Sequence, residues 1–460
     1  MDDQLREGPL SRIDSSRAPD SPASGACTAP GPMVSSGVMS ATGAHQAVEA
    51  VWRIESGRLI AGLARLLRDV GRAEELAQDA LVSALETWPR TGIPDNPGAW
   101  LMATAKHRAI DHLRRNQMLT RQHALLAHEL EIDQDMIEDE LEVRVHDEIG
   151  DDLLKLMFAA CHPVLAREAR AALTLKVLAG LTTREIARAF LVPEPTMAQR
   201  LVRAKRTLAE AQVPFEIPGR AELAARLASV LDVIYLVFNE GYSATAGEQW
   251  MRPELCEEAL RLGRILAELV PLEPEVHGLV SLMELQASRL RARVNDSGEP
   301  ILLMDQNRSR WDRLLIHRGL LALARGQALG ATRGPYLLQA GIAACHVRAA
   351  TAADTDWVLI TALYDELARL TPSPVIELNR AVAVSMAYGP QAGLDMADKL
   401  AADGVLGSYH LLPSVRGELL SKLGRYQEAR GEFERAALLT QNARESRLLL
   451  ERAAACSQRN

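Results

Sequence analysis

Residues 181–206 read LTTREIARAFLVPEPTMAQRLVRAKR, and their periodicity predicts two short helices joined by a turn. Thr182 and Glu185 stand three residues apart, just ahead of Ile186, Ala187 and Phe190, which is the pattern of a capping box opening a helix with one apolar stripe. Leu191 to Glu194 supplies the turn. Pro195 suits the first turn of the second helix, where no backbone N–H is required of it, and Met197 and Leu201 point inward at i and i+4. The opposite face of that helix carries Thr196, Gln199, Arg200 and Arg203, residue types that meet base edges and phosphates in a major groove, with Lys205 and Arg206 extending the phosphate contacts. An Arg-rich helix by itself is also an ordinary solvated surface; the capped partner helix is what favours a helix-turn-helix.

The rest of the chain agrees with an all-α class. Hydrophobic residues make up 48% and aromatics only 4% of 460 residues, with Ala, Leu, Arg and Glu abundant, so several helical units with modest side chains in their cores are expected. The net charge of −8 means that a nucleic-acid surface has to be a local basic patch. The five cysteines form no CxxC pair, which excludes a zinc ribbon and points to reduced thiols. No apolar run is long enough to cross a membrane, and the first 44 residues lack the apolar core of a signal peptide. A cytoplasmic protein with no membrane partner is expected.

Residues 1–44, rich in Ser, Pro, Gly, Ala and Asp, are expected to be a disordered tail. Residues 45–118 are expected to form one compact unit: apolar residues recur at helical spacing from Val48 to Thr87, and Gly71 is read as a turn. Pro89, Pro94 and Pro97 are expected to hold a loop from Trp88 to Gly98, and a new helix runs from Ala99 to Arg115. Residues 119–152 are expected to be a linker, because Glu129 to Asp152 holds twelve acidic residues and one Arg. Residues 153–212 hold the helix-turn-helix. Pro214, Pro218 and Gly219 then break the pattern, and residues 220–460 alternate helical segments with Pro/Gly breaks. Within them, residues 409–441 place Gly417, Ala429, Phe433 and Ala436 at the small and aromatic positions of a tetratricopeptide repeat, and residues 375–400 read as a looser copy. Further helical hairpins are expected to stack upstream, since such units need neighbours.

Three segments in order resemble the extracytoplasmic-function (ECF) sigma factors of RNA polymerase: residues 74–81 (EELAQDAL), residues 103–115 (ATAKHRAIDHLRR) and the helix-turn-helix. The resemblance covers residues 48–212. It implies a region 2 domain that grips core RNA polymerase and opens and reads the −10 promoter element, and a region 4 domain that reads the −35 element. By resemblance the polymerase contact falls on Asp69, Glu74, Glu75, Gln78 and Asp79, although a solvated helix face explains the same charges. The −10 contact falls on Thr104, Lys106, His107, Arg108, Asp111, Arg114 and Arg115. Lys106 and His107 stand where the family commonly carries Arg and Asn. The loop from Trp88 to Trp100 resembles the segment that captures a flipped base, and reads equally as a Pro-rich connector capped by Trp.

The extension resembles the sigma subgroup with a tetratricopeptide-like C-terminal domain, which implies a regulatory contact with the sigma core or with a partner protein. Phe238, Tyr242, Trp311, Asp312, Asp356 and Trp357 stand out there; helix ends and inter-helix packing account for them. Two other readings remain open. A conventional regulator would join a helix-turn-helix to a sensor domain without polymerase. An enzyme in the extension would use Asn239, Glu240, His277, Asp305, Asp312 and His317, but no phosphate loop, HExxH pair or nucleophile elbow accompanies them, and Cys161-His162 has no second pair at ligand spacing. No catalytic residue, metal or cofactor is therefore expected.

Overall fold

The structure, a computed structural model, describes residues 41–458 apart from 125–147, 191, 245, 248–249 and 331–332. The tail expected over residues 1–40 and the acidic run over residues 125–147 lie outside the described residues. As the composition implies, the fold is all-α, with eighteen α-helices and two strands of two residues among the described residues.

Helices α1 (Ala41–Leu67), α2 (Val70–Thr91) and α3 (Pro97–Ala124) form the first unit. Leu59, Ile60, Leu63 and Ala64 of α1 are buried against Ala73, Leu76, Ala77 and Ala80 of α2 and Leu101, Ala105 and Ala109 of α3. Helix α1 starts inside the expected tail, and α3 runs past residue 118 into the expected linker. Gly71 does not make the turn. Arg68 does, at φ +54°, followed by Asp69, whose carboxylate accepts the Arg72 N–H at 3.0 Å as the α2 cap. Pro89 does not end α2 either. It sits in the last turn, where one missing N–H costs little of the ladder, and the buried Trp88 ahead of it keeps that turn packed until Gly92, at φ +86°. Pro97 opens α3.

The second unit holds α4 (Glu148–Ala160), α5 (Arg167–Val177), α6 (Thr183–Ala189) and α7 (Glu194–Glu210), with α6 and α7 forming the helix-turn-helix. The capping box is present: the Thr182 hydroxyl accepts the Glu185 N–H at 3.2 Å, and the Glu185 carboxylate accepts the Thr182 N–H at 2.7 Å. Met197, Leu201, Ala204 and Leu208 are the buried stripe of α7. Partial burial raises the Glu185 carboxyl, but its bonds to Thr182 and the nearby Arg53 guanidinium outweigh that and hold it below the usual carboxylate range. Its contribution is thus complete above the unfolded pKa of about 4.3 and is lost as the pH falls through the lower folded value. Thr182→Ala should lower stability by about 1 kcal/mol and weaken this acid-side dependence. Denaturant midpoints at neutral and acid pH check it; an unshifted midpoint at neutral pH refutes it.

The extension runs through α8 (Arg220–Tyr242), α9 (Pro253–Leu269), α10 (Pro274–Ala287), α11 (Arg313–Leu329), α12 (Pro335–Arg348) and α13 (Trp357–Leu370). It ends in α14 (Pro374–Tyr388), α15 (Pro390–Ala402), α16 (Leu411–Lys422), α17 (Tyr426–Leu439) and α18 (Ala443–Ser457). Helices α16 and α17 make a hairpin through Gly424 at φ +77°, and Gly417 is required inside it, since a Cβ there would lie 2.9 Å from the Phe433 ring. Helices α14 and α15 make another, turning at Gly389 with φ +103°. The end of the chain also returns to the beginning of the extension. Strand β1 (Ala246–Gly247) pairs in parallel with β2 (Gln441–Asn442), and the buried Asn442 side chain donates to the Ala244 carbonyl at 3.1 Å.

The break at residues 213–219 separates helices but not cores. One continuous apolar cluster runs from α1 to α12, taking in Phe158, Leu173 and Leu175 of the second unit and Leu227, Val230, Ile234 and Phe238 of α8. Polar contacts reinforce it: Arg226 donates to the Phe158 carbonyl at 2.9 Å, Ser229 to the Cys161 carbonyl at 2.7 Å and Arg261 of α9 to the Leu178 carbonyl at 2.8 Å.

Candidate nucleic-acid and polymerase interfaces

On α7 the side chains of Thr196, Gln199, Arg203 and Arg206 are exposed, and Arg200 is half-buried. Arg206 is tied to Glu210 of its own helix at 2.6 Å, an exposed pair that DNA can displace at little cost. Lys205 turns the other way. Its ammonium lies 2.9 Å from the carboxylate of Glu74 on α2, and Lys176 of α5 lies 3.5 Å from the same carboxylate. Glu74 is only 3% exposed and also accepts a bond from Gln78. The expected phosphate contact and the expected polymerase contact therefore meet each other in this arrangement, and neither is presented on the surface anticipated for it. The reason is tertiary: a carboxylate buried at a helix crossing needs cations, and these two lysines are the ones within reach.

The other expected polymerase residues have local partners as well. Asp69 caps α2, and Glu75 pairs with Arg72 at 2.9 Å. Asp79 lies 3.8 Å from Arg108 of α3. Asp69, Glu75 and Asp79 stay exposed, so an acidic face survives along α2 without Glu74.

On α3, His107, Asp111, Arg114 and Arg115 are exposed, and Lys106 is half-buried. The Thr104 hydroxyl donates to the Trp100 carbonyl of its own helix at 2.8 Å, and Arg108 donates to Ser83 of α2 at 2.6 Å. These two serve packing in this arrangement. Trp88 is 1% exposed and meets Trp100 edge to face at 5.5 Å, so Trp88 belongs to the core and Trp100 is the indole nearer the surface.

A joint between the units was not anticipated from the sequence. The Trp52 indole donates to the Gly180 carbonyl at 3.1 Å, and Arg53 pairs with Glu185 of the capping box at 2.8 Å. Gly180 adopts φ +68°, and its position after α5 is the one trace of this joint that a sequence carries.

The acids and histidines singled out in the extension do not gather. Glu240 pairs with Arg252, and His277 is buried against the Pro271 carbonyl. Asp312 caps α11 and Asp356 caps α13. Among the described residues no group of His, Cys, Asp and Glu is placed to hold a metal ion, and no helix is long and apolar enough to cross a membrane.

Taken together, these faces define a helix-turn-helix protein with an acidic helix and a second basic helix upstream and a helical extension behind. Residues 54–118 match the family model for sigma-70 region 2, residues 155–208 that for sigma-70 region 4, and residues 226–327 a family of unknown function, DUF6596. The uncharacterized protein R00370 of Rhizobium meliloti (strain 1021) is 46% identical over 386 residues, covering 84% of this chain and 90% of that protein. The ECF RNA polymerase sigma factor SigC of Mycobacterium tuberculosis and the probable RNA polymerase sigma-C factor of Mycobacterium bovis are each 29% identical over 155 residues, 33% of this chain and 77% of those proteins. No solved structure matches. The chain belongs to the family of R00370, and its two sigma-70 domains, together with its similarity to the two sigma-C factors, support an ECF-type sigma factor.

Proposed function

We propose that this sigma factor recruits core RNA polymerase through the acidic face of α2, opens and reads the −10 element with α3, and anchors the −35 element with α7, while the tetratricopeptide-like extension sets its activity. The observation that carries the reading is the exposed Thr196, Gln199 and Arg203 face of a capped, packed helix-turn-helix, in a chain whose upstream unit matches region 2. No bond is made or broken by the protein itself. Its place of work is the cytoplasm, where polymerase and promoter are.

Run-off transcription with purified core polymerase on the promoter of the protein's own operon tests this. The full chain should give initiation that core polymerase alone does not. Arg203→Ala should weaken promoter binding by about 1–3 kcal/mol, the worth of a bidentate base contact. Promoter binding without polymerase, and no initiation with it, would identify a conventional regulator instead.

A further inference from the structure

We propose that the extension carries a binding site for a phosphate dianion, free or as a monoester, built by the guanidiniums of Arg289, Arg293 and Arg308 against Tyr242, Trp311 and His346. The site stands independently of the sigma-factor reading. Its residues come from four places in the chain: Tyr242 ends α8, Arg289 and Arg293 follow α10, Arg308 and Trp311 precede α11, and His346 stands in the last turn of α12. Tyr242, Trp311 and Trp357 stand far apart in the sequence, and here they converge. The Arg293 guanidinium lies 3.5 Å from the centre of the Tyr242 ring. Arg289 lies 5.9 Å from that ring and 6.0 Å from the Trp311 ring. Arg308 covers Trp311 at 4.6 Å, and Trp357 meets the His346 ring edge to face at 5.2 Å. A guanidinium lying over an aromatic face keeps its N–H edge for an acceptor.

Three positive charges meet here, and among the described residues no carboxylate pairs with any of them. Arg289 donates to the Tyr242 hydroxyl at 2.7 Å, Arg293 to the Tyr242 carbonyl, and Arg308 to the carbonyls of His346 and Ala349. The charge of Asp354 reaches Arg308, but that carboxylate is exposed and bound to Thr351. Arg293 is only 8% exposed, and a buried cation needs a counter-charge. Burial, with Arg289 adding to it, holds Arg293 and Arg308 below the usual guanidinium range and pushes the His346 imidazole down to about 4. The imidazole is therefore neutral near pH 7. Arg308 Nε, Trp311 Nε1 and His346 Nδ1 are buried without a hydrogen-bond partner among the described residues, although such atoms are nearly always paired. An oxyanion supplies both missing components, charge and acceptors. A phosphomonoester carries about −1.5 to −2 charges at pH 7, more than a carboxylate does, and its oxygens match the fork of a guanidinium. The cluster therefore favours phosphate.

Calorimetric titration of the full-length protein tests the site, with inorganic phosphate, glycerol 3-phosphate and acetate as probes at an ionic strength held constant with chloride. Wild type should bind phosphate saturably and acetate not at all. Arg289→Gln, shown by circular dichroism to be folded, should weaken phosphate binding about tenfold, the worth of a hydrogen bond to a charged group. No saturable binding of either phosphate probe, an equal response to acetate, or a folded Arg289→Gln protein that binds phosphate as wild type does would each overturn the site. Tighter binding of glycerol 3-phosphate supports the site with a monoester as its ligand, and tighter binding of inorganic phosphate supports it with the free ion. A measurement on wild type keeps the proposal open to refutation if the variant does not fold. Phenylglyoxal modification of Arg289, read by mass spectrometry, should slow about tenfold at saturating phosphate, as expected when about nine-tenths of the sites are occupied. Modification that proceeds at the same rate with and without phosphate also overturns the site.

Discussion

Ending the chain at Glu216 should unfold region 4 instead of releasing it as an independent domain. Helix α8 contributes Leu227, Val230, Leu231, Ile234, Val237 and Phe238 to the cluster that also contains Phe158, Leu173 and Leu175. Fully burying one such side chain contributes about 1.5–3 kcal/mol, so stripping three or four of them is comparable with the whole stability of a domain, about 5–15 kcal/mol. The truncation also leaves the carbonyls of Phe158, Cys161 and Leu178 without the donors Arg226, Ser229 and Arg261. Far-UV circular dichroism should show more helix lost than the missing residues account for, and run-off activity should fall with it. A truncated protein that melts cooperatively near the wild-type temperature would show that the shared cluster does not hold region 4. Loss of activity on truncation is therefore a folding effect unless the fragment is shown to be folded.

Gly180→Ala should be strongly destabilising for the addition of a single methyl. Two costs add there: a non-glycine residue at φ +68°, about 1–2 kcal/mol, and a Cβ placed 2.4 Å from the Ser56 hydroxyl oxygen and 3.3 Å from the Trp52 indole nitrogen, where forcing extra volume costs about 1–3 kcal/mol. A total of about 2–5 kcal/mol is expected, read as a fall in thermal midpoint or denaturant midpoint. Ser56 is fully buried, and its hydroxyl has no hydrogen-bond partner among the described residues, so Ser56→Ala should restore the steric share of the loss and leave the backbone share. A Gly180→Ala protein as stable as wild type would mean that Trp52 and Gly180 are not in contact in solution.

Much of the architecture was legible because it depends on neighbours in sequence. The capping box of Thr182 and Glu185 and the Met197 and Leu201 stripe follow from residue types at helical spacing, and both are found as read. Local errors came where packing overrode local preference. Pro89 was expected to end a helix, yet Trp88 beside it is buried and the helix continues to Thr91. Gly71 was expected to turn the chain, yet its lack of a side chain serves an approach to Lys205, 134 positions away. Asp69 next to it makes the cap, a role its residue type allowed.

The candidate faces divide in the same way. That α7 would carry Thr196, Gln199 and Arg203 outward was determined by the sequence alone, because helical spacing assigns a face without reference to any other element. That Lys205 and Glu74 would face each other was decided only in three dimensions. Both residues look like surface charges in their own helices, and nothing within either helix distinguishes a carboxylate awaiting a partner protein from one already paired across a domain boundary. The same holds for the core shared by region 4 and α8 and for the return of Gln441 to Ala246. Periodicity tells which side of a helix is apolar; which other helix covers that side depends on long-range packing, whose free energy is collected only when distant segments meet.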